Sequence, residues 1–132
     1  MTSVFVDTSA WYAVMNQHDA HHQRAQHFLK THTGTFLTTN YVITETANLI
    51  LLRLGATLAL KFLETIGQSQ LVEVIYLSPE HHERTVALFA QWAEKGLSVT
   101  DCSSLLIMQE HQLTHAFCFD RDFIRAGLLC VP

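Results

Sequence analysis

"VFVDTSAW", residues 4–11, is the stretch on which the fold turns. Val4, Phe5 and Val6 form a run of β-branched and aromatic side chains, and a carboxylate and two hydroxyls, Asp7, Thr8 and Ser9, close it. Such a run predicts a short buried strand, and the end of a strand is where open α/β sheets place their chemistry. Taken alone, the octet favours a simpler account in which Asp7 only caps the next helix. The rest of the chain has to decide between the two.

Further strand-like runs occur at "TFLT" (35–38), "LVEVIYL" (71–77) and "HAFCF" (115–119), besides "SVFV" (3–6) itself, and "LLCV" near the end is a candidate fifth. Helical patterns lie between them, at 9–16, 20–32, 40–54, 57–68, 79–95 and 101–112, the fifth carrying Pro79 in its first turn. Strands too apolar to have a wet face, alternating with helices, predict a parallel sheet covered on both sides. The expected fold class is therefore α/β: a three-layer α/β/α sandwich with a mostly parallel sheet of four or five strands. A hydrophobic content of 48% with two prolines and five glycines suits one domain over residues 1–132. The glycines fall near helix ends, and none belongs to a GxGxxG or GxxxxGK motif, so a nucleotide cofactor has little support.

A net charge of −4 argues against a protein that grips nucleic acid through a broad basic surface, but leaves open a nucleic-acid enzyme that works through bound cations. The longest strongly apolar stretch, around "ANLILL", falls far short of the ~20 residues of a membrane span, and "MTSVFVD" lacks the basic start and long apolar centre of a signal peptide. The expectation is a soluble, cytoplasmic protein without a membrane partner. Three cysteines, Cys102, Cys118 and Cys130, lack CxxC spacing and are expected to be packing residues in a reducing compartment. The histidines of "HDAHHQRAQHFLKTH" are expected to be solvated, because His18 and His22 make only one helical pair and no HExxH motif accompanies them.

The acids are more informative. Most occupy polar positions of helical patterns, where solvation explains them. Glu45 does not: on a helix from Tyr41, at about 100° per residue, it falls in the stripe of Tyr41, Val42, Leu49 and Leu52, while Arg53 lies off that stripe. A carboxylate there needs a buried arginine, a retained proton or a cation. Asp101 heads an apolar row with Leu105 and Met108, Asp120 ends "HAFCF" as Asp7 ends "SVFV", and Asp122 stands where it can cap a short helix through "FIRAG". Asp7, Glu45, Asp101 and Asp120 are thus expected to converge at the carboxyl edge of the sheet. Four clustered carboxylates repel unless divalent cations neutralise them, and oxygen-only ligands select hard ions such as Mg²⁺ or Mn²⁺. Ions so held activate water and stabilise a leaving oxygen, the logic of metal-assisted phosphodiester hydrolysis.

Four segments together resemble the PIN domain family, and within it the VapC-like ribonuclease toxins. "VFVDTSAW" is similar to the first strand with its leading Asp, "TTNYVITETANLI" to the helix carrying the Glu, "LSVTDCSSLLIMQEHQL" to the helix-start Asp, and "AFCFDRDFIRAGL" to the final strand and acidic turn. The resemblance runs from Val4 to Leu128. It implies cleavage of RNA dependent on Mg²⁺ or Mn²⁺, with Asp7, Glu45, Asp101 and Asp120 as catalytic and metal-binding residues and Asp122 in support. It also implies an assisting hydroxyl from Thr8 or Ser9, with Ser9 favoured, and leaves Asp120 and Asp122 in competition for the fourth place. Arg121 and Arg125, beside the acidic turn, are candidates for holding substrate phosphate.

A small antitoxin and homodimerisation are further implications, and Trp11, Tyr12 and the apolar segment "ANLILLRL" offer surface for both. The alternatives are a stand-alone RNA-processing nuclease and a catalytically silent acidic binding module. A phosphatase of the haloacid dehalogenase type needs a second Asp two residues after the first, where this chain has Ser9.

Overall fold

The structure, a computed structural model, describes residues 3–132; Met1 and Thr2, which open the stretch read for a signal peptide, lie outside the described residues. Five strands form one sheet: β1 (Val4–Val6), β2 (Phe36–Thr39), β3 (Val72–Ile75), β4 (His115–Phe117) and β5 (Leu129–Val131). Every neighbouring pair is parallel and the order is β3-β2-β1-β4-β5. The helices are α1 (Thr8–Met15), α2 (His22–Thr31), α3 (Asn40–Leu54), α4 (Ala56–Gln68), α5 (Pro79–Trp92), α6 (Val99–Glu110) and the short α7 (Asp122–Arg125). The result is the expected α/β/α sandwich, with all five strands parallel.

The strand order has one consequence for function. From β1 the chain moves outward through β2 to β3, then returns to lay β4 on the other side of β1, so the order reverses between β1 and β4. Beyond the carboxyl ends of two such strands the crossing helices diverge and leave a crevice. Phe5 and Val6 pair with Ala116 and Phe117, and the Asp7 amide donates to Phe117 O at 3.0 Å, so Asp7 and the segment leading to Asp120 leave the sheet side by side at that point.

The centre of the sheet is apolar on both faces: Val4, Phe5, Val6, Ala116 and Phe117 are all buried. Phe28 of α2 packs on Phe117, and Trp11 of α1 meets Phe62 of α4 edge to face. Trp11 is therefore a core residue, a correction to its expected place on an interaction surface; its Nε1 donates to Thr38 Oγ1 at 3.4 Å, and that hydroxyl in turn donates to Val6 O at 3.1 Å. Two threonines in β2 are tolerated because both hydroxyls are used: Thr39 accepts from the Val42 amide and starts α3. Among the described residues no helix is long and apolar enough to cross a membrane.

Two of the three cysteines depart from expectation. Cys118 and Cys130 are paired as a disulfide, with Cα atoms 5.6 Å apart, and Cys102 alone is a buried free thiol. The spacing of the two residues along the chain carries no sign of this. It follows from β4 and β5 being neighbours, with Ala116 opposite Cys130 and the Cys118 amide donating to Val131 O.

Candidate active site

Beyond the β1 and β4 ends lies a cleft of about 590 Å³, and Asp7, Thr8, Ser9, Glu45, Asp101, Asp120 and Asp122 all line it. These are the seven acids and hydroxyls singled out in the sequence. Arg121 and Arg125 do not line it, and the Arg125 guanidinium is engaged by Asp122 one helical turn away.

Each acid reaches the cleft through local structure. Asp7 is the N-cap of α1, so capping and convergence on the cleft are not alternatives: its Oδ2 accepts from the Ser9 amide at 3.2 Å and the Ser9 hydroxyl at 2.8 Å. The Ser9 hydroxyl also accepts from the Phe119 amide at 2.9 Å, which ties the carboxylate after β1 to the segment after β4. Asp101 is the third residue of α6 in a capping box: the Ser98 hydroxyl accepts from the Asp101 amide at 3.0 Å while Asp101 Oδ2 accepts from the Ser98 amide at 3.1 Å. Asp120 closes a turn by accepting from the Asp122 amide at 2.9 Å. Asp122 is the first residue of α7, not its cap, because that turn has already fixed its amide.

Glu45 needs a correction. The core-facing row of α3 is Val42, Thr46 and Ile50, all buried, whereas Leu52 is 83% exposed. Glu45 lies on the neighbouring edge with Leu49 and Arg53, four residues apart in turn, and all three line the cleft. Arg53, placed off the Glu45 stripe by the sequence pattern, is thus the one arginine in the cleft wall among the described residues, with Cζ 5.5 Å from the centre of the Tyr12 ring.

The electrostatics are those of crowded, dry carboxylates. Asp7 is 3% exposed. Burial pushes its carboxyl up to about 7; the Ser9 hydrogen bonds oppose the rise and the Asp101 charge adds to it. Burial also raises Asp101, partly offset by Ser98 and reinforced by Asp120 and Glu45, and it raises Asp120 against the pull of Arg125. Asp101, Asp120 and Asp122 each offer one carboxylate oxygen within 4.8 Å of the others. The Thr8 hydroxyl is buried on the same wall and has no hydrogen-bond partner among the described residues. An oxygen-only donor set, an unpartnered hydroxyl and acids held above their ordinary range by burial and mutual repulsion fit a hard divalent cation.

The cleft is also lined by Arg53, Asp19, His21, Ser98 and Phe119, which the sequence pattern does not single out as site residues. Asp19 and His21 lie in the stretch read as a solvated face. In fact Asp19 Oδ1 accepts from the His21 amide at 2.8 Å, His21 stacks on Phe119, and His22 Nδ1 lies 2.7 Å from Ala13 O. An aspartate ahead of a helix was the available signal for Asp19; the ring contact had none, since its partners are far apart in the chain.

The PIN domain profile matches residues 4–129. The chain is similar to the 23S rRNA-specific endonuclease VapC20 of Mycobacterium tuberculosis, 30% identical over 126 residues, which cover 96% of this chain and 95% of that protein. It is similar to a VapC ribonuclease of Archaeoglobus fulgidus, 29% identical over 116 residues, 84% of this chain and 73% of the relative. The crystal structure of Mycobacterium tuberculosis VapC20, described as a sarcin–ricin loop cleaving toxin, matches with a TM-score of 0.89 over 96% of each chain at 30% identity. FitAcB from Neisseria gonorrhoeae matches with a TM-score of 0.68 at 13% identity over 98% of this chain and 96% of its own, a likeness of fold alone.

Proposed function

The chain belongs to the PIN domain family, and from that premise we propose that residues 1–132 form one metal-dependent endoribonuclease that hydrolyses RNA phosphodiester bonds as the toxin of a type II toxin–antitoxin pair. The observation that carries the reading is the set of carboxylates gathered where the strand order reverses, three of them within 4.8 Å of one another. Asp7, Glu45, Asp101 and Asp120 are proposed to hold Mg²⁺ or Mn²⁺, with Asp122 supporting Asp120. Bound there, the ion would supply Lewis acidity and lower the pKa of a water beside the scissile phosphate.

The side chains divide the remaining work. Ser9 holds the Asp7 carboxylate by its hydroxyl and keeps the two strand ends in register. Ser98 orients Asp101 from the head of α6. Arg53 stands on the cleft wall, while Arg125 is committed to Asp122. We therefore assign the phosphate-holding role expected of Arg121 or Arg125 to Arg53, as a cation within reach of an anion that must enter an acidic cleft.

Since VapC20 is named for cleavage of 23S rRNA and the sarcin–ricin loop, an rRNA hairpin loop is the first substrate to try. The α3–α4 hairpin exposes Leu51, Leu52, Leu60 and Leu63, the surface on which a homodimer and an antitoxin are proposed. The test is an RNA cleavage assay with Mn²⁺, with EDTA, and with Asp7→Asn in parallel. Cleavage is expected with Mn²⁺ alone and should fall by orders of magnitude in the other two lanes. Activity that survives EDTA, or equal activity in Asp7→Asn, rejects the mechanism.

A further inference from the structure

One wall of the acid cleft is aromatic. His21, immediately before α2, and Phe119, between β4 and the acidic turn, both line it, with ring planes 3° apart and centroids at 4.4 Å. Phe119 is the inner ring: Phe117 meets it edge-on at 6.1 Å and Arg24 Cζ lies 5.7 Å from its centre. His21 is the outer ring, half-buried and lining the cleft. The pair is held from both sides, since the Phe119 amide donates to the same Ser9 hydroxyl that binds Asp7, and the His21 amide donates to Asp19. The stack is therefore in register with the carboxylates.

We propose that this stack is a nucleobase site, on which an unpaired base of the RNA next to the scissile phosphate lies against His21. The proposal rests on the ribonuclease reading and adds to it how substrate is held. A chain of net charge −4, whose cleft offers six carboxylates and one arginine, cannot draw RNA in by charge alone. Stacking on an aromatic face is insensitive to that field, and unpaired RNA bases are commonly held this way. A base within a duplex is already stacked on its neighbours, so the site selects loops and single strands.

The test uses the whole protein and the rRNA hairpin-loop RNA of the cleavage assay carrying 2-aminopurine at an unpaired loop position, whose fluorescence is quenched when the base stacks. Binding is followed with Ca²⁺ and cleavage with Mn²⁺, in wild type, His21→Ala and His21→Trp. Wild type is expected to quench the probe. His21→Ala should lose the quench and raise KM roughly tenfold with kcat within about twofold, and His21→Trp should restore both. Normal cleavage with no quench and an unchanged KM in His21→Ala overturns the base site and leaves the nuclease standing. A fall in kcat at constant KM also overturns it, marking His21 as a support for the acids. A quench that depends on His21 without cleavage in any lane keeps the base site and rejects the ribonuclease reading, and the absence of both rejects both.

Discussion

Asp7 is held where its charge is least welcome, and its protonation is a measurable handle on the site. Its carboxyl, ordinarily near 3.8, is raised to about 7 by burial, so between those values the folded chain retains a proton that the unfolded chain has released. The resulting stabilisation of the metal-free protein is complete below about pH 4 and is lost as pH rises through 7, with an upper limit of about 4 kcal/mol. Asp101 and Asp120 are shifted the same way and add to the trend. The melting temperature of the EDTA-treated protein should fall between pH 4 and 8, and Asp7→Asn should flatten the curve and melt higher at pH 8. Mn²⁺ should raise the melting temperature of wild type at pH 8 and much less at pH 5, because cation and proton compete for the same oxygens. Identical pH curves for wild type and Asp7→Asn would count against the buried acid. At this scale the strand-end acids were legible, since a carboxylate directly after a buried apolar run is a local pattern. Arg53 was not, because its row on α3 becomes a cleft wall only once α1 and α6 are in place.

Among the elements, α6 shows how a helix start doubles as part of the site. Ser98 and Asp101 complete each other's hydrogen bonds across its first turn, and the same turn aims Asp101 at Asp120. Ser98→Ala removes the acceptor of the Asp101 amide and should cost about 1 kcal/mol in urea denaturation. It should also weaken Mn²⁺-induced stabilisation, since the carboxylate then starts from a frayed turn, whereas Ser98→Thr should preserve both. An Ala variant that loses stability but keeps full Mn²⁺ response would separate the cap from the cation site. The six longer helices and all five strands were legible to within a few residues, because periodicity and caps are written locally: Ser78 with Pro79 starts α5, and Thr39 starts α3. The face each helix turns inward was less so. The sequence pattern puts Glu45 in the apolar stripe, whereas the buried row is Val42, Thr46 and Ile50.

For the whole molecule, the α3–α4 hairpin leaves Leu52 83% and Leu60 68% exposed, more apolar surface than an isolated chain favours. If the proposed homodimer uses it, light scattering at micromolar concentration should give a dimer for wild type and a monomer for Leu52→Glu combined with Leu60→Glu. Melting of the variant should show that the fold survives, since neither side chain belongs to the core. A wild-type monomer would rule the dimer out. Sequence alone determined the α/β class, the parallel strands, and the placing of Asp7 and Asp120 at strand ends, because burial and alternation act between residues close in the chain. Tertiary structure alone decided the rest. The order β3-β2-β1-β4-β5 sets β4 beside β1, bringing Asp7 to the acidic turn, and beside β5, pairing Cys118 with Cys130. It also brings Phe119 against His21, nearly a hundred positions earlier in the chain. Such contacts depend on which strands become neighbours, and no local pattern of side chains encodes that choice.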